Sequence, residues 1–339
     1  MNEGTPGGRS KRALKLCDRD TFNENVGSVL DEVLVEARAA AVQYSDVRDD
    51  RMIARGQTEI DIVICIHNAL EDVKACLASV DMHLGERQRV FLVDDGSDAP
   101  TEAFLKEFSA ARPHYFLHRN EVAMGYTKAA NLGVNLTDAE VVILLNSDTI
   151  VPRGWAEKLA DALIETPGAG IAGPMSNAAS YQSLPSVQGT AQQTAVNTLP
   201  EGWDVDKMDR FCEKHASLPL PLVPLVHSFC FAMTREVWDQ VGPFDETAFP
   251  KGFGEENDFC FRATDAGFGL VLATHTFVFH AKTKSYDANT RHELVEVAQA
   301  ILYERHGLQR FTNAVRVLDR QPQLRKLRRE ARALFQHPS

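Results

Sequence analysis

This 339-residue chain lacks long apolar runs. No stretch of about 18 apolar residues occurs, so no membrane-spanning helix is predicted, and the N-terminal residues MNEGTPGGRSKR lack the apolar core of a secretory signal. The six cysteines form no CxxC pair and no zinc-type spacing. Cys65, Cys230 and Cys260 lie in apolar strings, where a free cysteine behaves as a small hydrophobic residue. These absences predict reduced thiols and a cytoplasmic location.

Basic charge and the common nucleotide-binding motifs are also scarce. The chain has 36 Lys and Arg against 47 Asp and Glu, a net charge of −11. Because binding to phosphate backbones depends on dense Lys and Arg, nucleic acid is not predicted as a partner. The first predicted strand is followed by HNALEDVK, which contains neither GxGxxG nor GxxxxGK[ST]. This excludes a dinucleotide fold and a P-loop, and it disfavours a nucleotidyltransferase, which needs a Gly-rich basic loop there.

Apolar runs alternate with helical spacing between residues 60 and 148. Four strand-like runs are separated by segments in which apolar residues recur every three or four positions. Crossovers of this length predict an α/β fold with a doubly wound, mostly parallel sheet, which binds ligands beyond the carboxyl ends of its strands. The four runs are IDIVICI, RVFLVDDGS, HYFLHRN and EVVILLNSD.

Further strands and helices are predicted downstream. AGIAGP, VHSFCFAMT and FGLVLATHTFVFHAK read as strands, and GEENDFCFRATDAG reads as the start of a helix. Residues 176–224 are irregular and rich in Ser, Gln, Asn and Pro, a composition typical of substrate loops.

The two ends of the chain are predicted to be extensions of one main domain. Nine Lys or Arg lie between residues 305 and 332, against Asp319 and Glu330. This basic tail is interpreted as a peripheral contact with an anionic membrane, as a solvated helix face, or as a homodimer contact. The predicted segments are a disordered basic tail (1–20), a helical extension (21–57), the main domain (58–287) and a basic helical extension (288–339).

Polar side chains follow the first two predicted strands. Asp94 and Asp95 end the second strand, and their carboxylates can accept hydrogen bonds from a nucleobase or a ribose hydroxyl. Gly96 would let the backbone approach such a ligand closely. His67 and Asn68 follow the first strand. The alternative is a strand-end turn capped by an aspartate.

Asn146 and Asp148 follow the fourth predicted strand. A carboxylate at a buried strand end suits a hard divalent cation such as Mg²⁺ or Mn²⁺, which takes oxygen ligands and can bridge a diphosphate. A turn is again the alternative.

Acidic residues are concentrated in GEEND. Glu255, Glu256 and Asp258 lie among aromatic residues, and a carboxylate crowded by other acids has a raised pKa and can act as a general base. Helix-dipole complementarity is the alternative. His280 ends a predicted strand and could complete a metal site or serve structure alone.

The ordered set of segments resembles the family-2 glycosyltransferases with the GT-A fold. The segments run from IDIVICIHNALEDVKACLASV and VDDGSD through RNEVAMGYTKAANLGV and LLNSDTIVPRGW to VGPFDE, GEENDFCFRATDAG and VFHAKTKS. The resemblance covers residues 60 to about 287 and is nearest to the rhamnosyltransferase-like branch that builds surface polysaccharides. It implies a Rossmann-like α/β sheet and a nucleotide-sugar donor, UDP-, dTDP- or GDP-linked.

The resemblance also implies where the donor binds. Asp95, beside Asp94, matches the carboxylate that recognises a uracil or thymine base. Asn120 and the segment from Gly125 to Asn131 match the loop and helix near the sugar diphosphate. The contacts from the first strand fall on His67 and Asn68, where the family has Pro-Thr-Tyr-Asn or a variant.

The metal motif and the base are implied in the same way. Asp148 matches the last acid of the Asp-x-Asp motif, Asn146 replaces the first acid, and His280 matches the histidine that completes the metal site. The catalytic base of an inverting transfer falls on Glu256, with Glu255 and Asp258 as rivals.

These residues predict an inverting, Mn²⁺- or Mg²⁺-dependent hexosyltransferase that acts on a glycan, lipid-linked or protein acceptor in polysaccharide or glycoconjugate synthesis. The alternative is a catalytically lapsed module that binds a nucleotide-sugar or scaffolds a partner. Trp155 and Trp203 could stack on a sugar or base, but core or interface packing is the favoured interpretation for each.

Overall fold

The computed structural model describes residues 58–188, 195–282 and 288–336. The predicted N-terminal segments, 1–20 and 21–57, lie outside these residues. Nine strands occur in the described part of the chain. They are β1 (Ile60–Ile66), β2 (Gln88–Asp95), β3 (Tyr115–Asn120), β4 (Val141–Asn146), β5 (Thr149–Ile150), β6 (Ala169–Met175), β7 (Cys230–Thr234), β8 (Gly269–Phe277) and β9 (Phe279–His280).

The helices fall mainly between these strands and after the last of them. They are α1 (Leu70–His83), α2 (Ala99–Ala110), α3 (Tyr126–Asn135), α4 (Trp155–Glu165), α5 (Val205–His215), α6 (Arg235–Val241), α7 (Glu255–Asp265), α8 (Ala288–His306), α9 (Leu308–Arg320) and α10 (Pro322–Gln336), with a short 3-10 turn at Ser180–Gln182. None of the helices in the described residues has both the length and the apolar character that crossing a bilayer requires.

Seven strands form one mixed sheet in the order β3-β2-β1-β4-β7-β6-β8, and β5 pairs with β9 in a separate ribbon. The four strands of the predicted βαβαβαβ segment pair in parallel. β7 is antiparallel to both β4 and β6, whereas β6 and β8 are parallel. The predicted α/β, mostly parallel sheet is therefore confirmed, with one reversed strand, β7, between β4 and β6.

Helices cover both faces of the sheet. In β1, Ile60, Ile62, Ile64 and Ile66 pack into one apolar cluster with α1 and α4, while Val63 packs into a second cluster with α3, α7 and the last two helices. A strand buried on both faces needs apolar residues at successive positions, which is why its sequence reads as one continuous run.

One prediction about regularity needs correction. Residues 176–224 were expected to be irregular, yet α5 forms within them, begun by Asp204, whose carboxylate accepts the Lys207 amide at 2.7 Å. The C-terminal helical region is three helices, because Gly307 adopts a φ of +82° and Pro322 begins the last helix. The rest of the region 288–336 is helical, as predicted.

Candidate active site

The carboxyl ends of β1, β2 and β4 lie at one edge of the sheet. The parallel registers align Ile66 with Asp94 and Cys65 with Asn146. The three polar segments that follow these strands therefore meet at that edge, as the sequence predicted, and this is where open α/β sheets bind ligands.

The Asp94 carboxylate stabilises the turn after β2. It is fully buried; Oδ1 accepts the amide of Ser97 at 3.0 Å, and Oδ2 accepts the guanidinium of Arg119. The Ser97 hydroxyl in turn accepts the amide of Asn68 at 2.9 Å. Asn68 has a φ of +59°. Asp94 and Asn68 thus lock the two strand ends together.

The Asp95 carboxylate holds the loop that leads into α3. Oδ1 accepts hydrogen bonds from the Asn120 amide and the Met124 backbone, both at 2.8 Å, and Oδ2 accepts the Gly125 amide at 2.9 Å. The Asp95 carbonyl also accepts the His67 ring at 2.8 Å. A carboxylate has about four lone-pair sites, so three occupied sites leave capacity for about one further N–H.

The β5–β9 ribbon brings Asp148 next to His280. Thr149 pairs with His280 in antiparallel register, and the Ala281 amide donates to the Asp148 carbonyl at 2.9 Å. The Asp148 Oδ1 lies 3.3 Å from His280 Nε2. Two residues that are 132 positions apart in the chain, 148 and 280, are thus neighbours in the fold.

Hydrogen bonds fix the ring of His280. Nδ1 lies 2.9 Å from the Ala178 carbonyl, and because a carbonyl only accepts, Nδ1 carries a proton. The Asn177 side chain accepts the His280 amide at 2.7 Å and donates to the His280 carbonyl at 3.0 Å. The ring stacks on Phe229 at 5.3 Å. In the neutral imidazole this tautomer turns the lone pair of Nε2 toward Asp148.

This pair fits one hard divalent cation. Asp148 Oδ1 and His280 Nε2 lie 3.3 Å apart. Neighbouring ligand atoms of an octahedral ion with bonds of about 2.1 Å lie about 3 Å from each other, so the two distances match. The described residues contain no cluster of three or more His, Cys, Asp or Glu suited to a metal. Mg²⁺-type sites often use one or two carboxylates plus substrate phosphates, so Asp148 and His280 suffice only if a diphosphate supplies further oxygens.

Glu255 and Glu256 form the buried first turn of α7. The helix begins after Gly254, whose φ of +114° favours glycine. The two side chains are only 2% and 8% exposed. The Gly254 amide donates to Glu256 Oε2 at 3.2 Å, whereas Glu255 Oε2 is buried without a hydrogen-bond partner in the described structure.

Burial raises the pKa of both glutamates. The pKa of Glu255 is raised further by the negative charge of Glu256 and lies well above its ordinary value. The backbone amides of Gly254 and Asn257 partly offset the rise for Glu256. Glu256 therefore ionises first and Glu255 keeps its proton to higher pH, an arrangement that suits one base beside one neutral acid.

The acid pair lies near α3. Burial, followed by the charges of Cys65, Glu255 and Glu256, raises the pKa of Tyr126. A Cβ built on Gly252 would lie 3.5 Å from the Tyr126 ring and 3.8 Å from Glu255 Oε2. The N-terminus of α3, which Asp95 holds, is therefore in contact with the segment that leads to the acids.

Asp258 has two arginines and one histidine as hydrogen-bond partners. Arg262 Nε lies 2.8 Å, His306 Nε2 2.9 Å and Arg305 Nη1 3.3 Å from its carboxylate. Burial raises the pKa of Asp258, but the hydrogen bonds from His306 and Arg262 outweigh burial and lower it overall. A carboxylate so occupied is a poor proton acceptor, so the geometry disfavours the predicted role of Asp258 as a rival base.

Asn131 and its neighbours in α3 brace residues 244–252. The Asn131 side chain donates to the Phe244 carbonyl at 2.9 Å and accepts its amide at 3.0 Å. The Thr127 hydroxyl accepts the Gly252 amide at 3.2 Å. Gly125 has a φ of +96°, and a Cβ there would lie 2.3 Å from the Pro250 carbonyl oxygen. The Asn131 side chain therefore binds the Phe244 backbone, and its contact with a donor stays a prediction.

Other sequence expectations are resolved by packing. Trp155 lies in the core and Trp203 packs edge-on against Phe211 at 6.3 Å, which confirms the packing interpretation for both. Asn177 and Ala178, which support His280, are not among the predicted site residues. Their signal was a polar residue directly after the buried run AGIAGPM, the same signal that marked the other strand ends.

Comparison with curated proteins finds glycosyltransferases. The chain is 24% identical over 266 residues to the pre-mycofactocin glycosyltransferase of Mycobacterium tuberculosis, covering 78% of this chain and 50% of that protein. It is 21% identical over 216 residues to the glycosyltransferase AglE of Haloferax volcanii, covering 63% and 64%. The chain thus spans about half to two thirds of the length of these relatives.

Solved structures share the GT-A fold. GalNAc-T7, solved with UDP, GalNAc and Mn²⁺, has a TM-score of 0.53 at 15% identity, covering 83% of this chain and 57% of that chain. The mannosyltransferase PcManGT from Pyrobaculum calidifontis, solved with GDP-Man and Mn²⁺, has a TM-score of 0.52 at 14% identity, covering 93% and 88%. The sequence model of glycosyl transferase family 2 matches residues 61–242, more than half of the chain. The chain therefore belongs to glycosyl transferase family 2.

Proposed function

We propose that the protein transfers a hexose from a nucleotide-sugar to a hydroxyl acceptor, with inversion at the anomeric carbon and with Mn²⁺ or Mg²⁺. The observation that carries the proposal is the Asp148–His280 pair, in which a carboxylate oxygen and an imidazole nitrogen face each other at 3.3 Å. The neighbours solved with UDP or GDP-Man and Mn²⁺ support the same donor class. A surface polysaccharide or other glycoconjugate is the proposed product, and the rhamnosyltransferase-like branch remains a prediction.

The donor would bind across the ends of β1, β2 and β4. Asp95 has capacity for one more N–H, which a nucleobase imide can supply, and the half-buried Gly96 lies beside it in the turn fixed by Asp94. The diphosphate would lie toward Asp148 and His280, with Asn146 at the end of β4. When bound there, Mn²⁺ or Mg²⁺ would stabilise the negative charge that develops on the leaving diphosphate.

Glu256 would act on the acceptor. Burial raises its pKa and the Gly254 amide donates to its carboxylate, so Glu256 is a stronger proton acceptor than an exposed glutamate and has the properties of a general base. It would remove the proton from the acceptor hydroxyl as that oxygen attacks the anomeric carbon. A single displacement inverts the anomeric configuration. The pKa of Glu255 lies well above its ordinary value, so this neighbour would resist placing a second negative charge in the site.

The first experiment is a thermal denaturation series with UDP-, dTDP- and GDP-sugars, with and without Mn²⁺. A ligand at 100 times its Kd stabilises by about 2.7 kcal/mol, which corresponds to a midpoint rise of about 4 °C in a chain of this size. A metal-dependent rise with one nucleotide class is expected. Asp95→Ala should abolish it, whereas Glu121→Ala, which removes an exposed acid in the same loop, should retain it.

Product analysis tests the reaction itself. NMR of the product formed from the stabilising donor should show the opposite anomeric configuration at the transferred sugar. Retention would refute the inverting mechanism. Donor binding without transfer or hydrolysis would favour the catalytically lapsed module, and no rise with any nucleotide in folded protein would refute the donor site.

A further inference from the structure

Arg328 in α10 is a buried cation. Its side chain belongs to a residue only 3% exposed, and Nε donates to the Ser183 carbonyl at 3.4 Å while Nη2 donates to the Tyr181 carbonyl. No carboxylate of the described residues forms an ion pair with it, and burial lowers its pKa to about 10. Burying a guanidinium without a carboxylate partner costs free energy. An apolar side chain would avoid that cost but could not bind the two carbonyls.

Those carbonyls belong to a folded segment, residues 176–184, which we term the 176–184 loop. The Ser176 amide donates to the Gln182 carbonyl at 2.9 Å and the Leu184 amide to the Ser176 carbonyl at 2.8 Å. The Ala179 amide donates to the Ser183 hydroxyl at 2.8 Å. The loop is therefore a closed unit, and a tether at one end constrains the other.

The other end of the loop holds His280. Ala178 accepts the proton of Nδ1 at 2.9 Å, and Asn177 makes both backbone hydrogen bonds of the histidine. Partners of this kind set the tautomer and orientation of a metal-binding histidine, and their loss typically weakens metal affinity 10- to 100-fold.

We propose that Arg328 is a positioning residue that fixes the 176–184 loop and, through Asn177 and Ala178, the ring of His280. The importance of this link for catalysis rests on the proposed function. The link itself, from Arg328 through the loop to His280, rests on the hydrogen bonds alone. The C-terminal helix is in this way part of the active-site support.

The first test reads the His280 ring directly. The 11 histidines are labelled with ¹⁵N, and the His280 signals are assigned by their loss in His280→Gln. Wild type should show a single tautomer protonated at Nδ1, with slow proton exchange. Arg328→Met, which keeps length and apolar contact but removes the donors, should show a second tautomer or proton exchange at least about tenfold faster, because the loop opens more often.

Arg329→Met is the matched control. Arg329 is the next residue in α10, its side chain is 72% exposed, and its partner is Glu330 at 3.5 Å. The His280 signals of this variant should match wild type. Arg328→Lys keeps the charge but lacks the planar fork, so it should fall between Arg328→Met and wild type.

The second test measures Mn²⁺ binding by electron paramagnetic resonance in the presence of UDP or GDP, whichever stabilises the wild type. Arg328→Met should bind Mn²⁺ about tenfold more weakly, with the kcat at saturating Mn²⁺ retained, and Arg329→Met should be unchanged. Wild type that binds no Mn²⁺ would refute the proposed metal site, and the histidine spectra would still decide the role of Arg328.

Unchanged His280 signals in folded Arg328→Met would overturn the inference, even if its thermal midpoint falls, because Arg328 would then serve stability alone. If Arg328→Met does not fold, the His280 spectra of Arg328→Lys and Ser183→Ala test the inference in its place. Ser183→Ala removes the hydroxyl that closes the loop without removing the carbonyl that Arg328 binds, so perturbed His280 spectra in both variants support the link and wild-type spectra in both refute it.

Discussion

Replacing each buried glutamate by glutamine separates the base from its neighbour. Glu256 ionises first, and the charge it acquires keeps Glu255 protonated to higher pH. Glutamine mimics a protonated carboxyl and cannot accept the acceptor's proton. Glu256→Gln should therefore lower kcat by a factor of about 10² to 10⁴, the usual contribution of general-base catalysis. Glu255→Gln should keep the activity within about tenfold of wild type.

The two substitutions also change how stability depends on pH. A carboxyl whose folded pKa lies above its ordinary value of 4.5 leaves stability unchanged below that value. As the pH rises from there to the folded pKa, the unfolded chain loses a proton that the folded protein keeps, and stability falls by about 1.4 kcal/mol per pH unit. Glu255→Gln removes this loss, so its advantage over wild type should increase with pH and level off above the folded pKa.

Urea denaturation at several pH values and the pH profile of kcat/KM measure these effects. The acid limb of the profile should stay in place in Glu255→Gln, because that limb reports Glu256. Glu121→Gln, at an exposed acid, controls for loss of one negative charge. A pH-independent stability difference for Glu255→Gln would contradict the buried, raised-pKa pair. Loss of activity in Glu255→Gln equal to that in Glu256→Gln would contradict the assignment of the base.

Three further predictions concern other parts of the fold. Asp61→Asn should lower the free energy of unfolding in urea by about 3–5 kcal/mol, because the fully buried Asp61 accepts two Arg89 hydrogen bonds at 2.7 Å. Gly133→Ala should cost about 1–3 kcal/mol in the same assay, since a Cβ there would lie 2.3 Å from Val63 Cγ1; an unchanged midpoint would show that α3 can move away. His280→Gln should raise the Kd for Mn²⁺ at least about tenfold in calorimetry with the nucleotide present, and equal affinity would exclude His280 as a ligand.

The strands of the sheet were predictable where a continuous apolar run indicates burial on both faces. Continuous apolar runs such as Ile60–Ile66 are typical of strands covered on both faces, and crossovers long enough to hold a helix allow successive strands to pair in parallel. The antiparallel β7 was not predictable in the same way. Its order in the sheet depends on the long path through residues 176–229, and no local pattern encodes which strand that path returns beside.

In the candidate site, too, some features could be predicted from the sequence and others could not. Asp95, Asp148 and the acid pair could be identified because each follows a strand or begins a helix. A buried polar group at such a position needs a hydrogen-bond partner, and strand ends in α/β sheets are where ligands bind. Which partner each carboxylate takes could not be inferred. The amides of Met124 and Gly125 that occupy Asp95 come from a loop whose conformation is set by three-dimensional contacts.

The C-terminal helices show most clearly what composition hides. The count of Lys and Arg residues predicts one continuous basic tail. In the structure, Arg305 forms an ion pair with Asp245 at 2.7 Å, Arg310 forms one with Asp265 at 2.7 Å, and Arg328 is buried.

The position of Arg328 does carry a signal. Leu324, Leu327 and Ala331 form the buried stripe of α10 at helical spacing, and Arg328 falls on that stripe, four residues after Leu324. A cation at an apolar position of an amphipathic helix lowers the stability of the fold unless hydrogen-bond acceptors bind it. The same face of the helix that joins α10 to the core therefore also joins it, through the 176–184 loop, to His280, while the exposed cations of the tail remain available for the predicted membrane or dimer contact.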